Sequence, residues 1–248
     1  MHKNKESKII ELLKTQKYMT VADICSELNI SPSTIRRELT VLEKKGLAIR
    51  THGGVRLADS NNYTPDFALR IHQNVVEKKI IDLKALKLIK DGDVIFLDGS
   101  TSAYFMAEYL SEFSNLTVIT NGIDTLSLLA HNNVTTYSTG GVVSKDNSSV
   151  LVGEQTLESI KNVHANIAFF SCQALSQDGK IYDCYLQENY VRKQMMKNSD
   201  KTVFLCDSNK INKSSSYYLC DLNEVDYLVT DKDVSDSFDT NVTTKIIF

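Results

Sequence analysis

The stretch Ser31-Pro32-Ser33-Thr34-Ile35-Arg36-Arg37-Glu38-Leu39 leaves few folds open to the first part of this chain. Ser31 can cap a helix, and Pro32 suits its first position, where the missing N–H costs nothing. Ile35, Leu39 and Leu42 recur on one face, so the helix buries that stripe and turns Ser33, Thr34, Arg36, Arg37 and Lys44 toward solvent before ending near Gly46. A shorter helix precedes it. Thr20 is its N-cap with Asp23 three residues on, Val21, Ile24, Cys25 and Leu28 form its apolar stripe, and it stops near Asn29. Farther upstream, Ile9, Ile10, Leu12 and Leu13 predict a helix from about Glu6 to Thr15, closed by a loop at Gln16-Lys17-Tyr18.

After the third helix, residues 47–57 spell two short strands around a Gly53-Gly54 turn, a hairpin signal. Helix, short helix, polar-faced helix and hairpin together make a winged helix-turn-helix. An arginine fork suits such a helix because it donates two hydrogen bonds to guanine O6 and N7, and hydroxyls at the helix start can donate to phosphates. Arg50, His52 and Arg56 on the hairpin are placed to meet backbone phosphates or the minor groove, and His52 is equally readable as a plain turn residue. Charge agrees with a nucleic-acid partner. Residues 1–57 hold 11 Lys and Arg against 6 Asp and Glu, whereas residues 58–248 hold 17 against 25. A basic head on an acidic body fits a polyanion reader whose larger part does not itself adhere to DNA.

The combination of Ser31 to Leu39, then Leu42-Glu43, Gly46 and Arg50-Thr51-His52-Gly53-Gly54-Val55, closely resembles the DeoR family of bacterial regulators. A lone helix-turn-helix pattern is common by chance. A T-I-R-R-E-L core followed at fixed distance by H-G-G is not.

Ala58 to Pro65 is polar, lacks apolar periodicity and ends in proline, so a linker is expected at 58–65, between a DNA-binding domain at 1–57 and a second domain at 66–248. Leu69, Val76, Ile80, Leu83, Leu86 and Ile89 predict one long helix from Asp66 to Lys90, available for dimerisation. Beyond it, apolar runs at 94–97, 116–120, 135–138, 167–170, 202–206 and 227–230 alternate with helical stretches at about 102–111, 122–131, 153–161, 186–199 and 221–224. That alternation indicates an α/β domain with a largely parallel sheet, whose ligands bind beyond the carboxyl ends of the strands. Asp98-Gly99-Ser100-Thr101-Ser102 sits at such an end, and its free N–H groups, its hydroxyls and the start of the next helix suit an anion; a simple N-cap is the plainer alternative. Asn121, the Gly140-Gly141 pair, Ser171-Cys172-Gln173 and Cys206 to Lys210 follow other strands, with Lys210 a point charge for a phosphate and Asp98, Asn121 and Asp207 partners for sugar hydroxyls.

The order of these segments is similar to the sensor domain of the DeoR family, so the resemblance runs from about residue 6 to 231. It implies a sugar-phosphate-isomerase-like, Rossmann-like fold that binds a phosphorylated sugar or related metabolite. By the same resemblance Asp98, Gly99, Ser100, Thr101, Ser102, Asn121, Gly141 and Lys210 line the pocket, joined by Gln173 and Glu188. Many relatives carry Gly-x-Asp-Gly where this chain has Ser171-Cys172-Gln173-Ala174, a departure that bears on which sugar is recognised.

The implied function is a DNA-binding regulator of a sugar uptake or catabolism operon, with repression relieved by the effector. It needs no cofactor and no metal, and it works as a dimer or higher homo-oligomer on double-stranded operator DNA, since one winged helix offers limited contact area. Two other classes compete. A sugar-phosphate isomerase or deaminase would need a positioned acid and base, and His2, His52, His72, His131 and His164 all fall outside the strand-end loops. An RNA-binding module is the third, disfavoured by the Ser33, Thr34, Arg36, Arg37 face, which suits duplex DNA. Five scattered cysteines without a C-x-x-C pair read as reduced thiols, Cys172 being either a regulatory thiol or a small core residue. No run approaches the roughly 18 apolar residues of a membrane span, so a cytoplasmic protein is expected.

Overall fold

The computed structural model describes residues 5–16, 18–44, 47–51, 54–57, 67–239 and 241–248 of the 248-residue chain. The chain divides into two units, Met1–Pro65 and Asp66–Phe248.

Unit 1 runs α1 (Lys5–Gln16), β1 (Tyr18–Met19), α2 (Val21–Leu28), α3 (Pro32–Lys44), β2 (Ala48–Thr51) and β3 (Gly54–Leu57). Helix α2 starts on a capping box: the Asp23 N–H donates to Thr20 Oγ1 over 3.1 Å, and the Thr20 N–H donates to the Asp23 carboxylate over 2.8 Å. It stops at Asn29, which takes the left-handed conformation at φ 52°. Ile9, Leu13, Ile24, Ile35, Leu39, Leu42 and Val55 are buried and form the core of the unit. The expected loop at Gln16-Lys17-Tyr18 is corrected in part, because Tyr18 and Met19 pair with Arg56 and Val55 as the outer strand of a three-stranded sheet. Two residues are too few to show alternation, so this strand exists only through its partner. Gly54 lies opposite Thr51 at the start of β3 rather than in the turn. A Cβ there would stand 2.5 Å from the Met19 carbonyl oxygen, which is why only glycine fits.

Unit 2 begins with α4 (Phe67–Arg70) and α5 (Val75–Ala85), then β4 (Val94–Leu97), α6 (Thr101–Ala107), β5 (Thr117–Thr120), α7 (Ile123–His131) and β6 (Thr135–Ser138). It continues with β7 (Val142–Val143), β8 (Leu151–Val152), α8 (Glu154–Lys161), β9 (Ala165–Phe170), β10 (Ala174–Leu175), β11 (Lys180–Asp183) and α9 (Leu186–Lys197). The last strands are β12 (Ser199–Leu205), β13 (Tyr217–Asp221), β14 (Tyr227–Val229) and β15 (Lys245–Ile247). Seven strands form one parallel sheet in the order β15-β14-β12-β9-β4-β5-β6. Both faces are covered, as the continuous apolar runs require. Ile95 and Leu97 pack with Ile81, Met106 and Leu129 on one face, and Phe96 and Ala168 pack with Ile160, Val191 and Met195 on the other. A small antiparallel sheet, β10-β11-β13, closes a third cluster around the stacked rings of Phe170 and Phe204.

The single long helix expected from Asp66 to Lys90 is broken. Asn74 is left-handed at φ 51° between α4 and α5, and a 3-10 turn at Leu86–Leu88 follows α5. The buried face is also rotated: Val76, Ile80 and Leu83 are exposed, while Lys78, Ile81, Asp82 and Ala85 are buried. Apolar periodicity gives no sign that Lys78 is buried. Its ammonium instead donates to the carbonyls of Arg70 and Gln73, over 2.7 and 2.8 Å, and that pairing permits burial.

In this sheet β5 and β6 step outward from β4 on one side, and β12, β14 and β15 step outward from β9 on the other. Chain order therefore reverses between β4 and β9. A crevice opens beyond the carboxyl ends of strands at such a switch point.

Candidate functional site

Two separate groups of side chains carry the chemistry, one in each unit. In unit 1, α3 leaves Ser33, Arg36 and Arg37 exposed and Thr34 half-buried, opposite its buried Ile35, Leu39 and Leu42. The Ser31 hydroxyl sits 2.9 Å from Thr34 Oγ1 and 3.2 Å from Ser33 Oγ, so the three hydroxyls at the helix start form one cluster. Arg50 projects from β2 onto α3, where its guanidinium donates to the Arg36 carbonyl (2.6 Å) and to Thr40 Oγ1 (2.8 Å) and lies 3.7 Å from the Glu43 carboxylate. In this arrangement Arg50 ties the wing to the helix that carries Arg36 and Arg37. His52, and the side chains of Lys44 and Arg56, lie outside what the structure describes.

In unit 2 the switch point gathers most of the expected residues. Asp98, Ser100, Thr101 and Ser102 follow β4 and are all buried, as is Asn121 after β5. Ser100 serves as the N-cap of α6, its hydroxyl accepting from the Ala103 N–H over 3.2 Å, so for Ser100 the plain capping role holds. Ser102 Oγ and Asn121 Oδ1 are buried and have no hydrogen-bond partner. Such orphaned atoms call for an explanation, and a ligand that bonds to them is one. Gly99 lets the loops after β4 and β5 touch: a Cβ on it would stand 2.2 Å from Val150 Cγ1 and 3.3 Å from the Gly122 α-carbon. Gly141, at φ 111°, packs against α8, where a Cβ would overlap Thr156 Oγ1. Gln173 accepts from the Ser215 hydroxyl over 2.7 Å.

At the centre stands Arg192, which sequence reasoning missed. From α9 its Nε donates to Asp98 Oδ2 (2.9 Å) and its Nη2 to Glu188 Oε2 (2.9 Å), and its Nη1 lies 3.1 Å from Asp183 Oδ2. Glu188 accepts a further bond from Asn147 (2.9 Å), and the Ser171 N–H reaches Asp98 over 3.3 Å. Arg192 thus fixes two of the expected residues, Asp98 and Glu188, in one network that crosses the switch point. Burial opposes its charge, but the carboxylates of Asp183, Asp98 and Glu188 hold the guanidinium firmly protonated. Glu188 is pushed up by burial, against the pull of Arg192. The only local signal for Arg192 was its spacing of four from Glu188, which on an isolated helix reads as a surface pair. Burial drives the Cys172 thiol far above its ordinary range, so it is a core residue and not a reactive thiolate.

Lys210, in the 3-10 turn after β12, donates to Ser171 Oγ over 2.8 Å and lies 3.5 Å from Asp207 Oδ2. Burial raises Asp207, but Lys210 and Lys78 outweigh it and keep the carboxylate ionised. Lys78 is depressed to about 8, first by burial and then by the charge of Lys210. Lys210 therefore brings its charge to Ser171, and Lys78 adds to the positive potential around Asp207.

Comparison with known proteins decides what these groups belong to. Residues 6–61 match the model of the DeoR-like helix-turn-helix domain, and residues 73–232 match that of the DeoR C terminal sensor domain. The chain belongs to the DeoR family of transcriptional regulators. The HTH-type transcriptional regulator GolR of Listeria innocua is 34% identical over 93% of this chain and 91% of its own. The L-fucose operon activator of Haemophilus influenzae is 31% identical (92% of each chain), and the HTH-type transcriptional repressor GlcR of Bacillus subtilis is 31% identical (90% and 86%). Among solved structures, a D-ribose-5-phosphate isomerase in complex with phospho-erythronic acid is similar at a TM-score of 0.41 and 16% identity. That match spans 54% of this chain and about half of the isomerase. As a DeoR-family regulator the protein carries a DNA-binding unit and a small-molecule sensor unit. Among the described residues no helix is long and apolar enough to cross a membrane, and no cluster could hold a metal ion.

Proposed function

We propose that this regulator represses an operon for sugar uptake or catabolism and is released from its operator by a phosphorylated sugar. The observation that carries the effector class is the set of buried polar groups that follow the strands at the switch point. Ser102 and Asn121 each carry a buried oxygen without a partner, Lys210 donates to Ser171, and Asp98, which accepts from the Ser171 N–H, is pinned together with Glu188 by Arg192. Cations suit a phosphate and fixed carboxylates suit sugar hydroxyls, so one ligand with both ends satisfies the site.

Arg36 and Arg37 read base edges in the major groove, Ser31, Ser33 and Thr34 contact phosphates near the helix start, and Arg50 acts mainly by holding α3 against the wing. Lys44, His52 and Arg56 extend the phosphate contacts. The active species is a homodimer or homotetramer on repeated half-sites. Named relatives include both a repressor and an activator, and repression is the sign proposed here.

The test is fluorescence anisotropy at fixed salt on DNA from upstream of the protein's own gene cluster, with and without a panel of sugar phosphates. Tight, sequence-specific binding weakened by one panel member is the expected result. Specific binding that every sugar phosphate leaves unchanged removes the effector class, and binding strengthened by one of them reverses the sign.

A further inference from the structure

The pocket is fastened to the point where the chain enters unit 2. Asn74, between α4 and α5, donates from Nδ2 to Asp207 Oδ1 over 2.9 Å, although the two residues are 133 positions apart. Asp207 is fully buried, and its second oxygen accepts no hydrogen bond and lies 3.5 Å from the ammonium of Lys210. Asn74 holds a left-handed backbone at φ 51°, a conformation that asparagine tolerates better than most residues. On the far side of the same turn the buried Lys78 ammonium clasps the carbonyls of Arg70 and Gln73. The turn at 71–74 therefore has two fasteners, one to its own helices and one to the pocket. Helix α4, which it carries, is the first described element along the chain after the winged helix.

Resting on the effector reading above, we infer that Asn74 is the positioning residue through which effector occupancy reaches DNA affinity, acting by its hydrogen bond to Asp207. An anion drawn to Lys210 approaches the carboxylate already paired with that lysine. Like charges in a buried site repel, and the pair Lys210–Asp207 loosens in favour of Lys210–anion. Asp207 then takes a different position, and Asn74 follows it or loses it. The bond is thus a contact whose free energy differs between the empty and occupied pocket, which is the requirement for coupling two sites. Lys78 sets the direction of the change, because its clasp keeps α4 and the turn moving as one piece.

Two full-length variants test this. Asn74→Gly keeps the left-handed backbone and removes the donor, and Asp207→Asn keeps the shape and an acceptor while removing the charge that an anion would repel. For each, operator affinity is measured by anisotropy with and without the panel sugar phosphate that is most effective on the wild type, and that compound's affinity for the DNA-free protein is measured by calorimetry. The wild type is expected to show coupling of about 5–150-fold. In Asn74→Gly the factor falls to about twofold or less, operator affinity without effector stays near wild type, and the sugar phosphate binds the DNA-free protein somewhat more tightly, because occupancy no longer works against that hydrogen bond. Asp207→Asn also lowers the factor. Hydrogen exchange in residues 67–78 quickens in Asn74→Gly without change in the strands of the main sheet. Wild-type coupling retained in both variants overturns the inference alone. A sugar phosphate that no longer binds Asn74→Gly places Asn74 in the pocket itself and also overturns it. If the wild type answers to no sugar phosphate, the effector reading falls, and the coupling role with it.

Discussion

The two units use charge in opposite ways. In the winged helix the arginines proposed to face DNA are exposed, local in sequence and attached to a helix whose stability comes from the other side, from Ile35, Leu39 and Leu42. In the sensor the charges are buried, come from distant segments and hold one another: Asp98 after β4, Asp183 at the end of β11, and Glu188 and Arg192 on α9. A reader of a large polyanion needs cations free in water until the partner arrives. A pocket for a small molecule needs its polar groups fixed before the ligand comes, because reordering them would oppose binding. The contrast predicts that substitutions in unit 1 change function with little change in stability, and that substitutions in unit 2 change both.

The largest effect is expected at Arg192. Replacing it with alanine leaves three buried carboxylates without their cation, and removing one partner of a buried ion pair costs about 3–5 kcal/mol. Urea denaturation of Arg192→Ala should show that loss, and a variant as stable as the wild type would contradict the network's role.

Next comes Asp82, buried on α5 with neither carboxylate oxygen hydrogen-bonded. Burial, reinforced by Glu108, raises it from 3.8 to about 9. The folded state therefore binds a proton that the unfolded state releases above pH 4, so the stability this group contributes is complete below the unfolded value and is lost as pH rises toward about 9. Asp82→Asn cannot ionise and should flatten the fall in stability across that window. Parallel stability profiles for the two proteins would show that Asp82 ionises freely.

In unit 1, Arg36→Ala and Arg37→Ala should each reduce discrimination at the contacted base by about 1–3 kcal/mol, while melting shifts correspond to no more than about 0.5 kcal/mol. Competition binding on operators mutated one base pair at a time measures the first quantity. Selectivity unchanged in both variants would move the reading surface off α3. The smallest effect is at Ser102, whose buried hydroxyl has no partner. Ser102→Ala should leave stability level or slightly raised, and should weaken sugar-phosphate binding by about 1 kcal/mol, the net worth of one hydrogen bond. Unchanged calorimetric affinity would take Ser102 out of the pocket.

Legibility in the sequence followed the same division. The winged helix was readable almost residue by residue, since Thr20 to Asp23, Ser31-Pro32 and the apolar stripe of α3 are local signals with local causes. The expected strand at 94–97 is β4, a short buried parallel strand that announces itself as an apolar run, and that at 135–138 is β6, a mostly exposed strand at the sheet edge with two threonines and a tyrosine. What stayed hidden was non-local. Strand β1 exists only by pairing with β3, Arg192 looks like a surface arginine until its three carboxylates are placed around it, and the Asn74–Asp207 bond spans most of the chain. The misread helix at 66–90 has the same origin, since buried Lys78 and Asp82 invert the face that apolar counting selects.

One crossed measurement tests the division of labour most directly. Operator affinity and sugar-phosphate affinity are determined at the same salt for the wild type, Arg36→Ala and Lys210→Met. The account predicts that Arg36→Ala loses operator selectivity and binds the sugar phosphate as the wild type does, whereas Lys210→Met loses the sugar phosphate and still binds the operator. A folded variant in which one substitution abolishes both affinities would contradict it.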